Sequence, residues 1–494
     1  MAFPKENLKT LIKAQYPIIY LVSWEEDRVE KSLNTLKDEI YGEDGNFYSW
    51  STTKGLVNSG SKVDGSDDIM KAFDFAIDSS ENTMFLIKDF HYIISEPKVI
   101  RKLKDTYAAF RNLNKTLFII SPTLKLPYEL EKEVNVVDID LPDAEETRDI
   151  FEDTLRTIVN ESLVYSFTPE LKDDCVNALL GLAAIEIELA VKRVLVNKNT
   201  VDNSIIEELL EEKVQIIRKS GTLEFIRTDV QLDGIGGLGN IKDWLNTRHL
   251  AFSNEAKEFG LDFPKGILIM GISGCGKSLC SKAVSTAWNL PLIRLELNQV
   301  YGGVYGTPEE VFRRSIKTVE ASAPCVLWID EIEAGITRAG EKTSDSPASR
   351  IFGYFLTWMQ EKQQPVFITA TANQIDLLPP ELLRKGRFDE IFFVTLPSRE
   401  ERKEIFRIHL LSRGKDPDVF DLDSLAKNTE GLSGSEIEQA VIGGLFESFS
   451  NNKELDDREL IIAASSIVPL SITMREEISS LERWAADRAQ KASR

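Results

Sequence analysis

The sequence predicts two α/β modules in tandem, each built on a mainly parallel sheet flanked by helices, with a helical lid after the second sheet. Short apolar runs of strand length alternate with helical patterns through both halves of the chain. A G-x-x-x-x-G-K-S sequence follows one of these runs, at residues 271–278. Two segments of the first half recur in the second half, which indicates that the two modules are related.

The recurring segments are amphipathic and keep their order. Residues 141–151 are echoed at 396–406, and residues 181–191 are echoed at 431–441. Chance similarity between amphipathic helices is the alternative, but two matches in the same order favour duplication. We therefore expect residues 1–222 to form a first copy of the fold that the second half adopts.

The first copy has no phosphate-binding loop. Its first apolar run, at residues 17–22, is followed by Ser-Trp-Glu-Glu-Asp-Arg, which has no glycine and three carboxylates that would repel a phosphate. A later run ends at Asp89, which we interpret as the counterpart of Asp330 in the second copy. We expect a degenerate module that hydrolyses no nucleotide, with its core at residues 1–140 and lid-like helices at 141–222.

The glycine-rich loop at residues 271–278 lies between an apolar strand pattern at 267–270 and a helical pattern at 279–287. An ordinary glycine-rich turn is the alternative, which this context disfavours. Glycines would let backbone N–H groups face phosphates at the helix N-terminus. Lys277 would reach the β- and γ-phosphates, and the Ser278 hydroxyl would ligate Mg²⁺. The expected cofactors are therefore ATP and Mg²⁺.

Two adjacent acids, Asp330 and Glu331, end an apolar run at residues 325–329. Neighbouring carboxylates are costly at the end of a buried strand unless a cation lies beside them. The pattern alone often marks only a strand that reaches the surface. Downstream of a phosphate loop it predicts that Asp330 holds the metal and that Glu331 polarises the attacking water. The next apolar run leads to Asn373, whose amide we expect to sense the γ-phosphate and the water, although an isolated Asn would more often cap a strand.

These residues, together with an R-x-G-R-F-D sequence at 384–389, resemble the AAA branch of the AAA+ ATPases. The resemblance implies that Arg384 and Arg387 are arginine fingers acting on ATP bound by the neighbouring subunit. Fingers that act in trans require a homo-oligomer, and the family implies a hexamer. Without the resemblance, two surface arginines in a turn would be the default interpretation.

The resemblance covers residues 233 to about 490 and implies a P-loop NTPase fold, with a large subdomain at 223–397 and an α-helical lid with C-terminal helices at 398–494. The G-I-G-G-L segment at 234–238 resembles the part of the family that packs on adenine, and G-L-S-G at 431–434 resembles its lid motif. The nucleotide-binding residues that the resemblance implies are Ile235, Gly236, Gly274, Cys275, Gly276, Lys277, Ser278, Leu279 and Gly434.

The central-pore loop departs from the family pattern of aromatic, hydrophobic and glycine. Val304, Tyr305 and Gly306 occupy it here, so the aromatic residue is shifted by one place. Two hypotheses of different classes follow. The chain is either a ring ATPase that remodels or regulates a protein partner, or a nucleotide-gated scaffold with slow hydrolysis and no threading.

The whole chain resembles a narrower group, the AAA proteins of hypothetical open reading frames in algal chloroplast genomes and of cyanobacteria. Three segments of the first half carry this likeness, at residues 16–26, 85–91 and 121–127. The resemblance implies the chloroplast stroma or the cyanobacterial cytoplasm, and a link to the regulation of photosynthesis or to inorganic-carbon use.

The composition of the chain disfavours some classes of binding partner. A net charge of −21 over 494 residues disfavours nucleic acid, and no apolar run is long enough to span a membrane, so we expect a protein partner. The three histidines, His91, His249 and His409, lie in no ligand pattern, and we interpret them as structural or surface residues. Residues 473–494 are predicted to form a polar helix that packs on the lid.

Overall fold

The computed structural model describes residues 3–158, 167–196, 198, 202–218, 221–252, 256, 258–302, 306–337, 347–384 and 386–494. The chain forms two compact units, Met1–Lys213 and Val214–Arg494. The module limit expected at residue 222, and the limits of the subdomains, stay predictions.

The first unit is built on a seven-stranded sheet. Its strands are β1 (Ile18–Val22), β2 (Asn46–Ser51), β3 (Gly55–Asn58), β4 (Ser61–Lys62), β5 (Thr83–Lys88), β6 (Lys115–Ser121) and β7 (Val134–Asp138). In space their order is β4-β3-β2-β5-β6-β1-β7. The five strands β2, β5, β6, β1 and β7 pair in parallel with their neighbours in this order. At one edge, β3 pairs antiparallel with β2, and β4 pairs antiparallel with β3.

Helices α1 (Lys5–Lys13), α2 (Glu26–Tyr41), α3 (Ile69–Asp78) and α4 (Pro97–Phe110) contribute to the two buried clusters on the faces of this sheet. The helices that follow β7 are α5 (Ala144–Ile158), α6 (Pro169–Leu179), α7 (Ala184–Leu195) and α8 (Ser204–Arg218), and α8 spans the division between the two units. Successive side chains of a strand point to opposite faces. Ile18 and Tyr20 accordingly belong to one buried cluster, and Ile19 and Leu21 belong to a second. The apolar run of β1 is therefore explained by burial on both sides.

The second unit has a sheet of the same size. Its strands are β8 (Leu223–Ile226), β9 (Gly266–Gly271), β10 (Leu292–Leu295), β11 (Cys325–Ile329), β12 (Val366–Ala372), β13 (Glu390–Val394) and β14 (Gln490–Lys491). In space their order is β14-β13-β9-β12-β11-β10-β8, and only the edge strand β8 pairs antiparallel.

The two sheets share one topology. In each unit the first five parallel strands, counted along the chain, lie in the spatial order 2-3-4-1-5, and in the second unit β14 adds a sixth parallel strand beside the fifth. The α/β class with two parallel-dominated sheets is thus confirmed, and the common order supports the duplication inferred from the repeated segments. In such a sheet the crevice beyond the carboxyl ends of the strands is where ligands bind.

The helices of the second unit fall into a sheet-flanking group and a C-terminal group. They are α9 (Gly239–Arg248), α10 (Lys277–Trp288), α11 (Leu297–Val300), α12 (Pro308–Ala321), α13 (Ile332–Thr337), α14 (Pro347–Glu361), α15 (Arg399–Leu411), α16 (Leu422–Asn428), α17 (Gly434–Ser450), α18 (Asp457–Ser465), α19 (Leu470–Thr473) and α20 (Arg475–Ala485). Three of them begin at capping boxes whose Ser or Thr and Glu are readable in the sequence, with caps at Thr307, Ser398 and Ser433. Within the described ranges, no helix is long and apolar enough to cross a bilayer.

The end of the chain differs from the helix expected at residues 473–494. Helix α20 ends at Ala485, and residues 490–491 form β14, which pairs in parallel with β13. Ala492 is fully buried in the core of the second unit, and the Asn240 side chain donates to the carbonyls of Lys491 and Ser493. The helix prediction was wrong here because a two-residue edge strand held by backbone pairing leaves no periodic pattern in the sequence.

Candidate nucleotide-binding site

The glycine-rich loop joins β9 to α10 at the carboxyl edge of the second sheet. Gly274 and Gly276 have φ of +76° and +90°, the left-handed region that a residue with a Cβ rarely adopts. A Cβ on Gly274 would also lie 2.2 Å from Oγ of Ser435. These glycines let the loop turn tightly at the start of α10, where free N–H groups and the helix dipole favour an anion.

Lys277 is the first residue of α10, and its side chain is buried beneath the loop. Its Nζ donates to the carbonyls of Gly271 and Ile272, at 2.9 and 2.8 Å. Burial lowers the pKa of Lys277 to about 8. Two carbonyl dipoles thus hold an ammonium group that lacks a full counter-charge, and a phosphate would supply that charge.

Ser278 and Asp330 meet across the loop. The Ser278 hydroxyl donates to Oδ1 of Asp330 at 3.0 Å, although the two residues lie far apart in the sequence. No group of three or more His, Cys, Asp or Glu side chains suited to a metal occurs in the part of the chain that the structure describes. A hydroxyl and one carboxylate nevertheless fit Mg²⁺, which takes few protein ligands and completes its shell with water and substrate phosphate.

Glu331 and Asn373 form the next contact of the site. The Asn373 amide donates from Nδ2 to Oε1 of Glu331 at 2.9 Å. Glu331 itself adopts φ of +47°, which turns its side chain out of the strand direction and leaves it exposed. The acid and the amide expected to work on the attacking water are therefore adjacent.

Glu333 was missed by sequence reasoning. It is buried, and its Oε1 accepts the backbone N–H groups of Asn373 and Gln374 at 2.7 and 3.2 Å. Desolvation raises the pKa of Glu333 above its usual value. Glu333 thereby fixes the backbone of the turn that presents the Asn373 amide, and no local pattern in the sequence reveals such a contact.

Helices α15 and α17 of the C-terminal group border the other side of the cleft. The backbone N–H of Ser435 donates to the carbonyl of Gly274 at 2.9 Å, and a Cβ on Gly236 would lie 2.5 Å from Cγ1 of Ile405. The cleft between these elements has a volume of about 350 Å³. Among the predicted residues that line it are Ile235, Gly236, Gly274, Cys275, Gly276, Lys277, Ser278, Leu279, Asp330, Glu331, Asn373 and Gly434.

His409, which no site prediction included, also lines the cleft, and its interpretation as a structural or surface residue stays a prediction. Burial lowers the pKa of His409, so its imidazole is neutral near pH 7. Its Nδ1 lies 3.9 Å from Oε1 of Glu438, which Arg413 binds at 2.9 Å. His409 lies one helical turn after Ile405, and both line the cleft, but no sequence pattern marked either residue.

The arginines of the R-x-G-R-F-D sequence lie elsewhere. Arg384 is exposed, Arg387 is half-buried and donates to the carbonyl of Glu381 at 2.8 Å, and neither lines the cleft. Asp389 accepts the N–H of Gly266 at 2.9 Å, which ties this loop to the first residue of β9. The phosphate loop leaves the other end of β9, and six residues of extended chain separate the two loops by about 17 Å.

Of the predicted pore-loop residues, Gly306 lies within the described ranges. Val304 and Tyr305 lie outside the described residues. Gly306 is exposed, has φ of +126°, and precedes the Thr307 cap of α12.

The matching edge of the first sheet carries a different set of charges. Asp89 has φ of +54° at the end of β5, and Glu331 has φ of +47° one residue beyond Asp330, which follows β11. Asp89 is thus the counterpart of Glu331, and the earlier match to Asp330 was wrong by one residue. Lys88 then occupies the position of Asp330, so the degenerate copy has a cation where the second copy has an acid.

In the first unit, a set of hydrogen bonds and ion pairs made by Glu25, Arg28 and Glu146, here called the Glu25 clasp, stands where the second unit has its phosphate loop. Glu25 is buried, accepts the N–H of Ala184 at the start of α7 at 2.6 Å, and pairs with Arg28. Arg28 also binds Glu146 at 2.7 Å. Lys88 binds Glu30 at 2.8 Å. Fixed protein carboxylates hold this edge together. The expectation that the first unit binds no phosphate stays a prediction.

Family comparisons agree with this architecture. Residues 267–396 match the family model described as "ATPase family associated with various cellular activities (AAA)". Residues 4–139 match the N-terminal domain, and residues 145–220 the second domain, of SpoVK-like AAA ATPases. The nucleotide cleft and the family match define an AAA ATPase.

Similarity to individual proteins identifies a more specific family within the AAA ATPases. The chain is 38% identical over 485 residues to the "Uncharacterized AAA domain-containing protein ycf46" of Gracilaria tenuistipitata var. liui, covering 97% of this chain and 98% of that protein. The protein of the same description from Guillardia theta is 36% identical and covers 98% of this chain and 95% of its own length. The proteasome-activating nucleotidase of Sulfurisphaera tokodaii is 33% identical over 54% of this chain and 69% of its own length. The chain belongs to the ycf46 family of AAA-domain proteins.

Proposed function

We propose that the second unit hydrolyses ATP in an Mg²⁺-dependent reaction. The contact that carries the proposal is the one between Glu331 and Asn373, because it brings a carboxylate and an amide donor together in the cleft that the glycine-rich loop lines. Ser278 and Asp330 would hold Mg²⁺, and the bound ion would neutralise negative charge on the phosphates.

The residues of the chain divide the remaining work. Lys277 binds the β- and γ-phosphates, and Glu331 accepts a proton from the attacking water. Asn373 hydrogen-bonds that water and the γ-phosphate. Ile235, Gly236, Leu279 and Gly434 enclose the nucleotide, together with Gly274, Cys275 and Gly276 of the loop.

The proposal includes assembly. Arg384 and Arg387 lie outside the cleft of their own chain and are exposed or half-buried, which supports a role as fingers for the cleft of a neighbouring copy. Such a contact is head-to-tail and closes into a ring, for which we propose six copies.

The proposed work of the ring is to remodel or regulate a protein partner. The net charge of −21 supports a partner other than nucleic acid. By family resemblance we place the activity in the chloroplast stroma or the cyanobacterial cytoplasm, with a role in photosynthesis or inorganic-carbon use.

The test is ATP turnover by the wild-type chain and by Glu331→Gln. We expect Mg²⁺-dependent release of phosphate from the wild type, and a loss in kcat of about 10²- to 10⁴-fold in the variant, because it lacks the base. Glu331→Gln should still bind ATP, as measured with a fluorescent analogue. Turnover by Glu331→Gln at the wild-type rate would remove the base from the proposal.

A nucleotide-gated scaffold is the second candidate, and the shifted aromatic residue of the pore loop favours it. Tyr305→Ala distinguishes the candidates once a partner is known. A threading ATPase should lose its effect on the partner, whereas a scaffold should keep it. ATP turnover without the partner serves as the control and should not change.

A further inference from the structure

Thr371 is a buried residue at the carboxyl end of β12 whose hydroxyl makes two contacts in the cleft. It donates from Oγ1 to Oδ1 of Asp330 at 2.6 Å. It also accepts the backbone N–H of Glu331 at 3.0 Å. One hydroxyl therefore touches both members of the acidic pair, one through its carboxylate and the other through its main chain.

The first unit shows that the turn itself does not need this hydroxyl. There Lys88 matches Asp330 and pairs in register with Ile120. The register of β11 and β12 pairs Ile329 with Ala370, so the next residues of the two strands are Asp330 and Thr371. Ile120 has no hydroxyl, yet Asp89 keeps the left-handed φ that Glu331 has. The fold makes the turn without a hydroxyl, so the hydroxyl of Thr371 serves the charged groups of the second unit.

We infer that Thr371 is a positioning residue for ATP hydrolysis, one that aims the Asp330 carboxylate at the metal and fixes the main chain of Glu331. The inference rests on the proposed function. Asp330 and Ser278 already share a hydrogen bond, so Oδ1 of Asp330 receives two hydroxyl donors from different elements. A carboxylate held from two sides keeps one orientation, which a metal ligand requires.

The experiment compares Thr371→Val, which removes the hydroxyl at nearly constant volume, with Thr371→Ser, which keeps it. Thr369→Val is the matched control. Thr369 lies on the same face of β12, is fully buried, and its hydroxyl contacts Ser281 at 2.8 Å instead of the acidic pair.

For Thr371→Val we expect kcat to fall between about tenfold and a hundredfold. The Mg²⁺ concentration that gives half-maximal binding of a fluorescent ATP analogue should rise about tenfold. Thr371→Ser and Thr369→Val should remain within about twofold of the wild type in both measurements, a margin well below the loss that misplacement causes.

Two results would overturn the inference. One is wild-type turnover and Mg²⁺ dependence in Thr371→Val. The other is an equal loss in Thr369→Val, which would show that any apolar change in β12 disturbs the site. If the wild-type chain hydrolyses no ATP, the proposed function fails, and the Mg²⁺ dependence of nucleotide binding still decides the role of Thr371.

Discussion

At the residue scale, the charged side chains of the cleft are fixed by hydrogen bonds within the protein before any ligand binds. Lys277 is buried against two carbonyls, and burial holds its pKa near 8. Asp330 is held by two hydroxyl groups, and Glu331 by an amide. Preorganised groups of this kind lose little free energy to reorganisation when the transition state forms.

The lowered pKa of Lys277 predicts how nucleotide affinity depends on pH. In the free protein the side chain loses its proton as the pH rises through about 8, and only the protonated form attracts phosphate. Affinity for ATP should therefore be constant below pH 7 and fall by up to about tenfold per pH unit above 8. Titration with a fluorescent ATP analogue between pH 6.5 and 9.5 measures this.

The control for that titration is Lys277→Arg, whose guanidinium stays charged throughout the range. Its affinity, even if weaker, should be flat with pH. A wild-type affinity that does not change up to pH 9.5 would show that Lys277 keeps its proton in the free protein.

At the element scale, the two units use one topology with different charges at matching places. The second unit has the glycine-rich loop after its first parallel strand and Asp330 after its third. The first unit has Glu25 and Arg28 in place of the loop, and Lys88, the last residue of β5, in place of Asp330. The fold tolerates either pattern because the residues lie at the crevice beyond the strands rather than in the apolar core.

The clasp predicts a stability effect that is confined to the first unit. Glu25→Ala leaves the Ala184 N–H without its acceptor and Arg28 with Glu146 as its remaining carboxylate partner. Removing one partner of a buried pair costs about 3 kcal/mol. Hydrogen exchange of the peptide that spans residues 180–190 should accelerate, while ATP turnover by the second unit should be unchanged.

Glu30→Ala is the control for the clasp, because the Glu30–Lys88 pair is more exposed and is expected to contribute below about 1 kcal/mol. Its exchange pattern should match that of the wild type. If Glu25→Ala exchanges no faster than Glu30→Ala, the clasp does not hold α7.

Sequence patterns predicted the parts of the site that are contiguous in the chain. The loop at residues 271–278 and the Asp330–Glu331 pair each carry their signal within a few residues. Thr371 and Glu333 carry none, because their roles arise from contacts between neighbouring strand ends. Matching the two units by their acidic residues paired Asp89 with Asp330. The positive φ that Asp89 shares with Glu331 shows that Asp89 corresponds to Glu331 instead.

At the scale of the whole molecule, we propose that each active site is formed by residues of two chains. The cleft contains the residues that we propose bind the nucleotide and activate water, whereas Arg384 and Arg387 lie outside it. Strand β9 connects the two regions, because the phosphate loop follows its last residue and the arginine loop is tied to its first. Nucleotide binding at one end of this strand therefore has a direct structural link to the surface that would meet a neighbour.

The most direct test of this claim mixes two inactive chains. Lys277→Ala keeps both arginines and loses phosphate binding, whereas the double variant Arg384→Ala, Arg387→Ala keeps the cleft and loses the fingers. Each variant alone should hydrolyse almost no ATP, and light scattering with ATP and Mg²⁺ establishes that the mixture assembles. In an equal, random mixture about one quarter of the interfaces pair an intact cleft with intact fingers, so about a quarter of the wild-type rate should return. A co-assembled mixture that stays as inactive as its components, beside an active wild type, would contradict the shared site.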